Sequence, residues 1–301
     1  MKISLTTVYV DDQEKALRFY TEVLGFVKKA DFSQGPFRWL TVASAEDPDG
    51  TQLQLALNDN PAAKAFQQAM FQQGQPALML FTADLAADHE RITSRGGEFA
   101  MPPTDVTGSK ISQAERRLRQ PPPDHPADEV VSTMRTTMKT IALALCLAAG
   151  ACAKSSPAAT TTTPTSTAPA TGMQIKHTSL YVDDQDKALH FYTDVLGFVK
   201  KDDVANGPFR WLTVTAAGAA DGTELQLALN DNPAAKAYQQ AMLEQSQPAA
   251  MFFTNDVKAD YERIKAKGGE FTMPPTDVTY ATIAQLKDTC GNLIQITQLH
   301  H

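Results

Sequence analysis

The chain has 301 residues, enough for two domains, and its 43% hydrophobic and 20% charged content is the balance of a folded globular protein. A net charge of −7 and a pI near 5.4, with Lys and Arg scattered along the helices, exclude a basic nucleic-acid interface, so no nucleic-acid partner is expected. The three cysteines, Cys146 and Cys152 in an apolar stretch and Cys290 in a turn sequence, make neither a disulfide framework nor a CxxC metal motif.

Residues 1–113 recur as 173–285 without a gap, at a constant offset of 172. YVDDQEKALRFYTEVLGFVKK from Tyr9 answers YVDDQDKALHFYTDVLGFVKK from Tyr181. GPFRWLTV occurs at Gly35 and Gly207, LQLALNDNPAAKA at Leu53 and Leu225, and MPPTDVT at Met101 and Met273. Identity this dense over a domain length marks a recent duplication, not a solenoid of short repeats.

The first copy diverges near Gln113. From Ser109 it reads SKISQAERRLRQPPPDHP, where the second reads ATIAQLKDTCGNLIQITQ from Ala281. Codons can be chosen for residues 113–126 that, on loss of one adenine from the first, read Gln-Leu-Lys-Asp-Ala-Cys-Gly-Asn-Leu-Leu-Gln-Ile-Thr-Gln. That is almost the ending of the second copy. A one-base insertion at codon 113 is therefore expected to have replaced the last strands of the first copy and its stop codon, leaving 114–137 irregular.

Residues 138–152 read MKTIALALCLAAGAC. One Lys, an apolar run and small residues before a Cys give the order of a bacterial lipoprotein signal, with Cys152 as the lipidated residue. The run is short for crossing a bilayer. Residues 153–172 are rich in Ala, Thr, Pro and Ser, a linker that cannot build a core. A full-length product is expected in the cytoplasm. A product started at Met134 or Met138 is expected as an envelope lipoprotein attached to the membrane through Cys152.

The second copy shows the complete order of elements. An alternating strand spans 175–182. Asp183 or Asp184 caps the next helix, Ala188, Leu189, Tyr192, Val195 and Leu196 form its apolar face, and Gly197 ends it. Strands follow at 198–203, 209–215 and 224–229, then a connecting helix at 233–244 with Pro233 in its first turn. The cycle restarts with a strand at 249–254, a helix at 257–267, a Gly268-Gly269 stop, and strands near Phe271, at 281–286 and at 293–298. That is βαβββ twice.

This order, the YVDD…KALxFYTDVLGF opening and the DTCGNLIQI ending resemble the vicinal-oxygen-chelate superfamily of glyoxalase I, extradiol dioxygenases, fosfomycin-resistance transferases and bleomycin-binding proteins. The resemblance covers nearly all of 1–113 and 173–299. It implies an α+β fold with two such domains, a truncated one at 1–113 and a complete one at 173–299. Each is of paired βαβββ modules forming a curved-sheet cup around a ligand. It also implies pairing of the copies, within the chain or between two chains.

In metal-dependent members of that superfamily the ligands come from the first and last strands of each unit, and the ion acts as a Lewis acid. Carried onto this chain, the first position falls on His177. The second falls on Gln226, with Glu224 on the same face but at the strand start. The third falls near Ala249 and the fourth on Gln295. His177, Gln226 and Gln295 offer one imidazole and no carboxylate to a single Ni, Zn or Mn ion, so the reading without a cofactor is favoured. Leu5 and Ala77 stand at the corresponding places of the first copy, which cannot make the site. A lone strand His is more often bonded to a neighbour than to a metal. Ser179 and Tyr181 share its face, and Phe209, Trp211 and Thr213 share one face of the third strand. Together they suggest an aromatic small-molecule pocket, with plain core packing of equal weight. Phe252 and Phe253 point to opposite faces, and the sequence leaves open which lines the cup. Cys290 has no nearby His and reads as structural.

The favoured function is a small-molecule-binding protein with a degraded metal site. The alternatives are a glyoxalase-type metal-dependent lyase or isomerase, and a fusion product in which only the second domain functions, as an envelope lipoprotein.

Overall fold

Two-residue alternation sets the first element: β1 (Leu5–Val10) turns Thr6, Val8 and Val10 to one buried face. The Asp12 carboxylate accepts from the Lys15 N–H and starts α1 (Gln13–Arg18). The helix runs on as a π-helical turn, Phe19–Val23, whose wider turn buries Phe19, Tyr20 and Val23 together. β2 (Val27–Gln34), β3 (Phe37–Ala43) and β4 (Gln52–Leu57) complete module I. Its sheet order is β1-β4-β3-β2, with β1 parallel to β4. α2 (Pro61–Gln72) leads into module II, which holds α3 (Leu85–Ser94), β5 (Gly97–Val106) and β6 (Ser109–Leu118).

The second copy repeats the plan. β7 (His177–Val182), α4 (Gln185–His190) with its π-helical turn Phe191–Val195, β8 (Val199–Asn206), β9 (Phe209–Thr215) and β10 (Glu224–Leu229) form module III. Asp184, not Asp183, caps α4, accepting from the N–H groups of Asp186 and Lys187. α5 (Pro233–Glu244) starts on Asn232 with Pro in its first turn. Module IV holds β11 (Ala250–Phe253), α6 (Val257–Ala266), β12 (Glu270–Val278), β13 (Ala281–Lys287) and β14 (Leu293–Leu299), in sheet order β11-β14-β13-β12. The computed structural model describes residues 1–106, 109–118, 172–219 and 221–300. Among them no counterpart of β14 follows β6, so the first copy falls short at its C-terminal end. No helix among them is long and apolar enough to cross a membrane.

Two apolar cores form, each mainly from one copy, with Ile3 of the first copy entering the second core and Met173 and Ile175 of the second copy entering the first. One joins Val8, Val10, Phe19, Tyr20 and Leu53 of module I to Ile92 of α3. The other joins Leu180, Tyr192, Phe198 and Leu227 of module III to Phe252, Ile264, Ile294 and Ile296 of module IV. An arginine ties each pair of helices. Arg91 of α3 donates to the carbonyls of Val23 and Leu24, and Arg263 of α6 to those of Val195 and Leu196. Both satisfy backbone acceptors orphaned at a helix end.

The copies also meet at their sheet edges. Lys2 and Phe253 exchange backbone hydrogen bonds of 2.7 and 3.0 Å, which carries the module I chain onto the edge of β11. Gln174 and Phe81 exchange the equivalent pair, at 2.7 and 2.9 Å, carrying module III onto module II. Equivalent threonines meet at the pseudo-twofold between the copies: Thr6 bonds Thr178 at 2.7 Å and Thr51 bonds Thr223 at 2.6 Å. Module I therefore shares a cup with module IV, and module III with module II. In the first cup the far ends also meet, since Phe32 on β2 lies 6.2 Å, ring to ring, from Tyr280 in the β12–β13 turn.

Candidate functional site

Strand alternation decides what each cup presents. In β7, Leu180 and Val182 go to the core, so His177, Ser179 and Tyr181 face the cup. His177 lies level with Glu224 on β10, and Ser179 with Gln226. Ser179 Oγ donates to Gln226 Oε1 at 2.9 Å. The His177 ring stacks on Trp211, with centroids 5.0 Å apart and planes 20° from parallel. The residue is 6% exposed, and its Nε2 has no hydrogen-bond partner. Burial lowers its pKa to about 4, against a smaller opposite pull from the Gln226 side chain, so the ring is neutral near pH 7.

The other pocket residues expected in module III divide. Phe209 sits at the rim beside Trp211, with ring centroids 6.4 Å apart. Thr213 is fully buried and accepts from the Asp202 N–H, so it lines nothing. Tyr181 packs edge-on against Phe66 of α2 at 5.8 Å. Phe66 in turn stacks on Tyr238 of α5, whose hydroxyl meets that of Tyr9 at 2.7 Å. That quartet, on the pseudo-twofold, belongs to packing between the copies. Only the offset of 172, which makes Phe66 the counterpart of Tyr238, could have hinted at it.

The expected metal set is not brought together. His177 and Gln226 face the cup shared with module II. Gln295 sits on β14, in the cup shared with module I, where it accepts from Gln285 Nε2 at 3.1 Å and donates to Thr297 Oγ1 at 3.1 Å. The reason is the pairing itself, because module IV completes module I. Ala249 bonds through its N–H to the Leu293 carbonyl and offers no donor side chain. Glu224, disfavoured from sequence, is the acidic group level with His177, but it pairs with Lys201 at 3.0 Å. No group of three or more His, Cys, Asp or Glu capable of holding a metal occurs among the described residues. One imidazole plus a committed carboxylate does not fit a resident divalent ion.

The cup of modules I and IV has a different character. β1 gives it Leu5 and Thr7, and β4 gives Gln52 and Gln54, opposite the buried Leu53 and Leu55. Phe252 goes to the core, packing on Phe198 at 5.0 Å, which turns Met251 and Phe253 to the cup. β14 adds Gln295 and Thr297, so every cup-facing residue on these central strands is neutral. Thr7 bonds Gln54 and Thr41 bonds Gln52, each through the amide oxygen. The rim is aromatic: Trp39 stacks on Phe32 at 6.3 Å, Phe37 leans on Trp39, and Tyr280 is 67% exposed. Sequence reasoning passed over this cup because Leu5 stands where a ligand was sought.

Cys290 is fully buried, and its thiol is pushed up to about 12 by burial and by the nearby Asp288 carboxylate. Asp288 accepts from Tyr192 Oη, Asn292 Nδ2 and two backbone N–H groups, locking the β13–β14 turn. Cys290 is thus a structural residue. Cys152, Met134, Met138 and the signal-like run lie outside the described residues.

The profile of the Glyoxalase/Bleomycin resistance protein/Dioxygenase superfamily matches residues 2–130 and 174–296. An uncharacterised protein of Bacillus subtilis, YurT, is 52% identical over 126 residues, which is 42% of this chain and 99% of that protein. A second from the same organism, YetH, is 33% identical over 129 residues, covering 42% of this chain and 98% of that protein. Among solved structures, glyoxalase I from Zea mays aligns with a TM-score of 0.58 at 14% identity, over 99% of this chain and 92% of its own. At that identity the likeness speaks for the fold alone.

Proposed function

The chain belongs to the glyoxalase/bleomycin resistance protein/dioxygenase superfamily, and we propose that it is a small-molecule-binding member whose principal site is the cup of modules I and IV, working without a metal. The observation that carries this reading is the neutrality of that cup. At the positions where metal-dependent relatives place donors it has Leu5, Gln54 and Gln295, which offer amides and no fixed charge. Gln54, bonded through its amide oxygen to Thr7, keeps its amide N–H groups for a ligand. The stacked Phe32 and Trp39, with Tyr280 across the opening, give an apolar aromatic clamp. Such a site suits an uncharged aromatic ligand carrying an amide or carbonyl. A lyase or isomerase reading needs a bound ion, and among the described residues neither cup brings together a donor set for one.

The test uses the chain with Trp211→Phe, which leaves Trp39 as the sole tryptophan. Benzamide is titrated against benzoate, with and without a chelator, by tryptophan fluorescence. Saturable quenching by benzamide that ignores the chelator is the expected result. Preference for benzoate, or loss of binding with the chelator, overturns the proposal.

A further inference from the structure

β14 is an inner strand of module IV, and both of its edges are paired. It runs parallel to β11, with Ala250 level with Ile294 and Phe252 with Ile296. It runs antiparallel to β13, with Leu286 level with Ile294 and Ala284 with Ile296. Ile294 and Ile296 thereby enter the core. Module II keeps the counterparts of both flanks. At the offset of 172, β6 answers β13 and residues 78–81 answer β11. Among the described residues β6 pairs with β5 alone, and no strand lies on its other side. Residues 78–80 form no strand, where Ala250–Phe252 do, and Phe81 makes an isolated bridge to Gln174. Burial differs in the same sense. Phe252 is 1% exposed and Leu286 is fully buried, whereas Leu80 and Ala114, at the equivalent places, are half-buried and exposed. Leu78 and Leu80 pack against the core of the first copy, so the flank is apolar. Gln113 on β6 donates to the Gly74 carbonyl at 3.4 Å, which puts β6 within one side chain's reach of the chain entering 78–81.

We propose that module II takes up, between residues 78–81 and β6, an extended segment of another polypeptide with the pattern of β14. Apolar residues at alternate positions would pack on Leu78 and Leu80, with neutral polar residues between them. Module IV supplies the argument for this occupant, because a strand of that pattern fills the equivalent place there. Main-chain bonds to a strand edge give such a segment its affinity, and alternate side chains give its specificity. The β14 of a second copy of this chain is not the donor. It is paired on both sides, and Asp288 locks the turn that precedes it. The bound segment lies in the plane of the sheet, not inside a cup, and does not depend on the function proposed for the cup of modules I and IV.

The experiment uses the full chain and a fluorescein-labelled peptide of residues 291–299, GNLIQITQL, read by fluorescence anisotropy. A control peptide carries Ile296→Pro, which removes a ladder N–H and an apolar side chain. A control protein carries Ala114→Asp, which sets a carboxylate at the position where Leu286 meets Ile294 in module IV. Because Ala114 is exposed, that variant should melt as the parent does. The expected result is saturable binding of the unmodified peptide, weakened at least about 10-fold by Ile296→Pro and by Ala114→Asp. Absence of saturable binding overturns the proposal, since the place is then closed or filled from within the chain. Equal binding of the two peptides overturns it too, and so does binding that Ala114→Asp leaves unchanged, because the peptide then adheres elsewhere.

Discussion

Replacing His177 by Leu should stabilise the protein progressively as pH falls. Burial holds the His177 imidazole at about 4, against an ordinary value of 6.5. Near pH 7 both the folded and unfolded forms are neutral there, and the residue adds no pH dependence. Below 6.5 the unfolded chain takes up a proton that the folded chain refuses until about 4, so the unfolded state binds more protons and stability falls with pH through that window. The full gap corresponds to roughly 3 kcal/mol. Asp31 and Asp203, held near 2 by bonds to Arg38 and Arg210, titrate below the window. Asp288, raised by burial, works in the opposite sense, but it is common to both chains and cancels in their difference. Urea unfolding of parent and His177→Leu at about pH 7, 5.5 and 4.5 should show the variant's advantage widening by about 2 kcal/mol across the series. Parallel pH profiles would refute the burial of a neutral imidazole at this position.

Gly269→Ala should cost about 1–3 kcal/mol, read as a lowered melting temperature. The added methyl would stand 2.4 Å from Ile264 Cγ2 and 3.1 Å from its carbonyl oxygen, and Ile264 is fully buried in the core. Lys2→Pro removes the N–H that bonds the Phe253 carbonyl at 2.7 Å and should cost about 1 kcal/mol. Lys2→Ala keeps that bond and should change stability by less than about 0.5 kcal/mol. Equal losses in the two would show that the bond across the copies contributes nothing. Extensive dialysis against a chelator should leave the melting temperature unchanged, since the described residues bring no donor set for a resident ion together, and a drop would contradict that reading.

Much of the fold is legible in the sequence because its signals are local. Alternation gives β7 and β10, Pro233 gives the start of α5, and Gly197 gives a helix stop. The π-helical turns at Phe19–Val23 and Phe191–Val195 are not legible, since 3.6-residue periodicity accommodates the same apolar residues. The candidate site was half legible. His177, Trp211 and Gln226 do share one cup, while Gln295 does not. The reason is that two near-identical copies offer near-identical edges. Nothing in the pattern tells whether β14 completes the cup of β7 or that of β1, and three-dimensional contacts such as Lys2 with Phe253 and Gln174 with Phe81 decide it. The neutral cup was overlooked because attention to ionisable residues ranks Leu5 and Gln54 as losses, although an uncharged cup is itself a chemical specification.

The central claim, that each cup is built from both copies, is tested most directly by a quencher at position 280. Tyr280→Cys is made with Cys146→Ser and Cys152→Ser; buried Cys290 is left in place, and the new cysteine takes a nitroxide. Two such chains are compared, one keeping only Trp39 through Trp211→Phe and the other keeping only Trp211 through Trp39→Phe. Phe32 bridges Trp39 and Tyr280, at 6.3 and 6.2 Å. The label should therefore strongly quench Trp39, on the other copy, and leave Trp211, on its own copy, nearly untouched. Quenching of Trp211 with Trp39 spared would mean that the second copy closes its own cup, and would contradict the account.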